Sequence, residues 1–160
     1  MTSSTRRCCR RRGVSAATSE EHKEVYRRII DAVSRGDAAA LDELVAADIV
    51  DHNPVPDQAR GREGFKQWMD AVRMAFPDLH GTVEDLIAEG DRVAARVTWH
   101  GTHRGTFVGM EATGRRVSFE AFHHVRFSEE GAAEWWGTAD VFGALQQMGA
   151  TVTGRPELET

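Results

Sequence analysis

The stretch Arg115–Ala150, RRVSFEAFHHVRFSEEGAAEWWGTADVFGALQQMGA, decides the fold. Val117, Phe119, Ala121, His123, Val125 and Phe127 alternate with Ser118, Glu120, Phe122, His124 and Arg126, a period of two that predicts a strand with one apolar face. SEEG turns the chain, and a further strand over about Ala132 to Thr138 leads to Asp140 and a short helix, VFGALQQMG. Upstream, LHGTVEDLIAEGDRVAARVTWHGT reads as two more strands joined at EGD, with Val93, Ala95, Val97 and Trp99 sharing a face.

Before Pro77 the period is about 3.6. Thr18 and Glu21 have capping-box spacing, and Val25, Ile29 and Val33 follow at four-residue intervals up to Gly36. Asp37 is placed to cap a second helix, AAALDELVA, which runs into DIVDHNP, where Pro54 and Pro56 impose an extended or turning chain. After GREG, residues Phe65, Trp68, Met69, Val72 and Phe76 fall on one side of a third helix that Pro77 ends. Three helices followed by successive antiparallel strands predict an α+β architecture, with the helices covering one face of a curved, mostly antiparallel sheet and an apolar pocket between the layers.

The 160 residues suit one domain, and no apolar run approaches the ~20 residues of a membrane span. The formal charge of −5 is uneven: five arginines and no acid fall in residues 1–17, which leaves 15 basic against 25 acidic residues, or −10, in the remainder. A body so acidic repels a phosphate backbone, so neither nucleic acid nor membrane is an expected partner. RRCCRRR lacks the apolar stretch that a twin-arginine export signal needs, and both cysteines, Cys8 and Cys9, lie in it. A cytoplasmic location and a start downstream of Met1, for example at Val14, are the expectations. Residues 1–17 are read as a disordered arginine-rich tail, 18–150 as a single domain and 151–160 as a flexible end.

The glycine-rich GTHRGTFVGMEATGRR lies between strands and is followed by no Gly-Lys-Ser or Gly-Lys-Thr entering a helix, so it reads as a long hairpin and not as a phosphate cradle. His100 and His103, and likewise His123 and His124, are separated by odd numbers. On a strand such pairs face opposite sides, so no metal site is expected. His123 is a candidate for the pocket, as are His52 and Asn53 in VDHNP. Asp140 admits two readings. It is placed to cap the last helix, and by strand parity it shares a face with Trp136 and Thr138, where loss of water would raise its pKa and make it a proton donor near neutrality.

GTHRG, TGRRV, and EWW followed by Asp140 and LQQMGA at this spacing resemble the signature of the SnoaL-like polyketide cyclases, within the nuclear transport factor 2-like superfamily of cone-shaped α+β barrels. The resemblance covers about residues 19–150. The chain departs from the pattern in EEGAA, where members often carry DGKI, and in GMEATG, where they carry a proline. The resemblance implies an apolar cavity, a homodimer, no metal or organic cofactor, and a small hydrophobic organic substrate closed by an intramolecular aldol reaction. Asp140 would be the general acid/base, with His123 and Asn53 polarising the enolate. Trp99, Phe119 and Trp136 would hold the flat polycycle; the reading of the residues themselves adds His52, and His103 as the pocket-facing member of its pair, to the lining. The same scaffold also hosts epoxide hydrolases, dehydratases, isomerases and non-catalytic ligand-binding or dimerisation modules, which stay as alternatives.

Overall fold

The computed structural model describes residues 18–151; the two terminal segments assigned above as tails fall outside them, apart from Thr151. Helix α1 (Ser19–Arg35) opens on the expected capping box, with the Thr18 hydroxyl accepting the Glu21 N–H while the Glu21 carboxylate accepts the Thr18 N–H. It ends at Gly36, whose φ of 68° is left-handed. Tyr26, Ile29, Ile30 and Val33 form its buried face, each worth roughly 1.5–3 kcal/mol of apolar burial. Helix α2 (Ala38–Leu44) is capped by Asp37, which accepts the Ala40 N–H at 3.0 Å.

Here the chain departs from the sequence reading. Instead of continuing the helix to Ala46, Val45 starts strand β1 (Val45–Asp51), which pairs in parallel with the last strand of the sheet. Leu41, Leu44 and Val45 suit one helix face, but the β-branched Val45, Ile49 and Val50 also suit a sheet, and a partner more than 80 residues away decides between them.

Helix α3 (Gly61–Ala75) follows, burying Phe65 and Met69. Gly64 sits where any Cβ would collide with the carbonyl of Ala59, so the loop after β1 is pressed directly on this helix. Gly64→Ala is expected to destabilise the fold by about 1–3 kcal/mol through this overlap, read as a lowered midpoint of thermal unfolding; an unchanged midpoint would show that the loop is not held there.

Strands β2 (His80–Glu89), β3 (Arg92–Thr102), β4 (Arg116–Ser128) and β5 (Gly131–Ala139) then run antiparallel, and α4 (Val141–Met148) closes the sequence of elements. The sheet order is β1-β5-β4-β3-β2. Its edges, β1 and β2, do not pair, so the expected barrel is an open, curved sheet. Helices α1 and α3 cover one face of it, α1 against β2 and β3 and α3 against β1. The core lies in that layer, where Val93, Val97 and Trp99 of β3 meet Phe119, Val125 and Phe127 of β4 and Trp135 of β5.

One irregularity positions the site. Arg126 pairs with Glu134 but Phe127 pairs with Ala132, so Ala133 is an extra residue, a bulge that reverses the facing of everything after it. Trp135, Gly137 and Ala139 therefore share the inner face with Val125, His123 and Ala121, their register partners.

Candidate active site

Between the helices and the sheet lies a cavity of about 420 Å³, within the range of small-molecule pockets. Trp99, Phe119 and Trp135 of the sheet and Phe65, Trp68 and Val72 of α3 form its apolar walls. The hairpin between β3 and β4 contributes Thr106, Phe107 and Val108 at the rim. The aromatic walls are fixed by one another: Phe65 meets Trp135 edge-on at 5.2 Å, and Tyr26 stacks behind Trp135 at 5.9 Å.

One end is polar. His123 faces the cavity and receives the Tyr26 hydroxyl on Nδ1 at 2.6 Å. Burial lowers the His123 pKa from 6.5 to about 4, so the imidazole is neutral at pH 7. Burial likewise pushes the Tyr26 phenol above its ordinary range, and Tyr26 keeps its proton. Asn53 also lines the cavity and accepts the Gly137 N–H at 3.1 Å. Beside it Asp51, at the end of β1, accepts from the Asn53 N–H at 2.9 Å and from Gln58 Nε2 at 3.0 Å.

The residues singled out from the sequence separate into two groups. Trp99, Phe119, His123 and Asn53 come together around this cavity. Trp136, His52, His103 and Asp140 do not line it. The bulge at Ala133 turns Trp136 to the outer face of the sheet, where it stacks on His52 at 4.1 Å and on His124 at 5.0 Å. Trp135 takes the inner position that Trp136 was expected to hold. His52 is held outside by its Nε2 contact to Glu134 at 2.9 Å; hydrogen bonds from His52 and Arg126 keep the Glu134 carboxyl below its usual range. His103 is fully buried, packs on Phe76 and bonds Thr113 through Nδ1 at 3.1 Å, so it ties down the hairpin. Asp140 is exposed. It caps α4, accepting the Gly143 N–H at 2.8 Å, and the burial expected to make it a proton donor is not there. Its chain neighbours Ala139 and Val141 both line the cavity.

His123 and His124 do face opposite sides of the sheet. Among the described residues no three His, Cys, Asp or Glu side chains are grouped to hold a metal ion, and no helix is long and apolar enough to cross a membrane.

The model of the SnoaL-like polyketide cyclases matches residues 23–148, nearly all of the described chain. The chain belongs to that family. This SnoaL-like protein is 31% identical over 133 residues to the aklanonic acid methyl ester cyclase DauD of Streptomyces sp. (strain C5), covering 79% of this chain and 80% of that protein. It is 29% identical to the corresponding cyclase DnrD of Streptomyces peucetius, again over 79% of this chain and 89% of that one. Among solved structures, TsrD from Streptomyces laurentii superposes with a TM-score of 0.78 at 27% identity, over 84% of this chain and 99% of TsrD.

Four members of the SnoaL-like site escaped the sequence reading: Tyr26, Trp135, Asp51 and Gln58. Tyr26 is a polar residue on the apolar stripe of α1, one position after Val25, and this was the available signal. Trp135 needed the bulge to be known, and Asp51 and Gln58 needed the strand β1.

Proposed function

We propose that this chain is a cofactor-independent cyclase that closes a ring in a polyketide-like carbonyl compound by an intramolecular aldol reaction. The observation that carries the reading is the aromatic cavity with a polar end that contains a neutral histidine, set in a chain related to aklanonic acid methyl ester cyclases.

Asp140, exposed and flanked by the cavity-lining Ala139 and Val141, enters the reaction as a base. It takes a proton from the substrate carbon that flanking carbonyl groups make acidic. The resulting enolate carbon attacks the ketone carbon, a carbon–carbon bond forms, and the carbonyl π pair moves onto the ketone oxygen. Asp140, now a carboxylic acid, returns the proton to that oxygen and is an aspartate again. Nothing is oxidised or reduced and no group leaves. A polycyclic substrate seated against Trp99, Phe119 and Trp135 presents its reacting end at the mouth, and holding the two carbons together contributes the larger part of the acceleration.

Incubating the purified chain with aklanonic acid methyl ester or nogalonic acid methyl ester, the substrates named for its relatives, tests the reading. The expected result is a cyclised product of unchanged mass, formed equally well with a metal chelator present. Saturable binding of both esters without conversion would assign the chain to the ligand-binding alternatives.

The outer face of the sheet supports the homodimer expectation. Ile87 and Phe122 are 70% and 54% exposed there, beside Trp136, a combination that a second copy would cover. Phe122→Lys is expected to halve the molar mass seen by light scattering; a wild type that is already monomeric would contradict it.

A further inference from the structure

The hydrogen bonds at the polar end of the cavity are one-sided. Among the described residues, each side-chain acceptor of Asn53, Asp51, Gln58 and His123 there already receives a hydrogen bond. Asn53 Oδ1 receives the Gly137 N–H, which also fixes the orientation of that amide. Asp51 receives the Asn53 N–H on one oxygen and Gln58 Nε2 on the other. Gln58 Oε1 receives the Val55 N–H at 3.0 Å, and His123 Nδ1 lies 2.6 Å from the Tyr26 hydroxyl.

The direction of this last bond follows from what Tyr26 has around it. Its side chain is wholly buried, and His123 is its one hydrogen-bond partner among the described residues. If Tyr26 accepted from Nδ1–H, its own O–H would be orphaned in the core, and a buried donor left unmade is costly. Tyr26 therefore donates, Nδ1 accepts, and the ring proton is on Nε2. Among the described residues three donors at the cavity have no partner: the Asn53 amide NH₂, the His123 Nε2–H and the Trp135 indole N–H. They surround Gly137. A Cβ added to Gly137 would lie 2.9 Å from Trp135 Nε1 and 3.4 Å from His123 Cδ2, so the missing side chain is the space between them.

We propose that Tyr26 is a positioning residue that holds His123 as an Nε2–H donor, and that His123, Asn53 and Trp135 together form a station around Gly137 for an enolate or phenolate oxygen of the substrate. This deepens the cyclase reading and rests on it. Three unpaired donors converging on one point favour a delocalised oxyanion over its O-alkylated or protonated counterpart, and they hold the enolate oxygen while the carbon reacts at the mouth.

Lawsone, a flat hydroxynaphthoquinone whose enol is ionised at neutral pH, and its methyl ether are suitable probes, titrated calorimetrically into the full chain. Lawsone is expected to bind about tenfold tighter than the ether, as hydrogen bonds to a charged group imply. Tyr26→Phe should reduce that ratio to about twofold with the affinity for the ether unchanged. It should also shift the His123 ring-nitrogen NMR signals from a single Nε2–H tautomer toward a mixture. A role in packing alone would move neither the ratio nor the tautomer. Trp135→Phe, which keeps a ring and removes the N–H, should lower the ratio independently. Equal affinities for the two probes in the wild type would overturn the station, and so would a ratio that survives both substitutions. Neither measurement requires turnover, so an Asp140→Asn variant that loses closure alongside equal probe affinities would remove the station and leave the cyclase reading standing.

Discussion

Asp140→Asn is expected to slow ring closure by about 10²–10⁴-fold, the usual contribution of a positioned acid/base, while leaving the fold and substrate affinity intact. The separation is possible because the side chain has two duties that chemistry can divide. Its cap on α4 is an acceptor for the Gly143 N–H, and asparagine caps a helix about as well as aspartate. Proton transfer needs the carboxylate, which asparagine lacks. Asp140→Ala removes both and should lose roughly 1 kcal/mol of stability as well. Steady-state rates, a binding titration and a melting curve on the two variants distinguish the duties. Undiminished turnover in Asp140→Asn would remove Asp140 from the chemistry and leave it as a cap.

Lowering the pH from 6.5 to 4 is expected to take away about 3 kcal/mol of folding stability through His123 alone. The folded-state pKa is depressed to about 4 against 6.5 for the free side chain. Between those values the unfolded chain binds a proton that the folded chain refuses, so stability rises with pH across that window and is complete above it. Carboxylates held low by hydrogen bonds act in a lower range. Asp78, bonded by the Thr102 hydroxyl and amide, and Glu134 contribute stability that is present above ordinary carboxylate pKa values and lost as pH falls through their depressed ones. Urea unfolding at several pH values should therefore show a steep segment above pH 4.5 in the wild type and a flat one in His123→Gln. Parallel curves for the two proteins would mean that His123 is not enclosed.

Much of this was legible because it is local. The capping box of α1, the stripe from Phe65 to Val72 and the alternation through β4 are each fixed by residues a few positions apart, and they placed Trp99, Phe119 and His123 on the inner face. The failures share a cause in long-range pairing. The start of β1, Val45 and Ala46, reads as helix and the rest only as extended or turning chain, because its partner β5 lies at the other end of the chain. Trp136 was favoured over Trp135 because a single bulge residue, Ala133, reverses the facing of β5, and a sequence has no marker for an extra alanine in a strand. Asp140 follows the end of β5 and caps α4, so its parity with Trp136 does not carry over, and the burial argued from that parity is absent. His103 was expected in the lining, since one of His100 and His103 should face the pocket, yet the hairpin folds over it and buries it against Phe76. Tyr26 was invisible as a site residue since its partner, His123, is 97 positions away.

The proposed reaction runs in the inner cavity and at its mouth, and a crystal structure with the cyclised methyl ester bound tests this directly. The rings should lie between Trp99, Phe119 and Trp135, with a substrate oxygen within hydrogen-bond distance of His123 Nε2 and the newly formed hydroxyl toward Asp140. Product density on the outer face of the sheet, against Trp136 and Phe122, with the inner cavity containing only water, would contradict it.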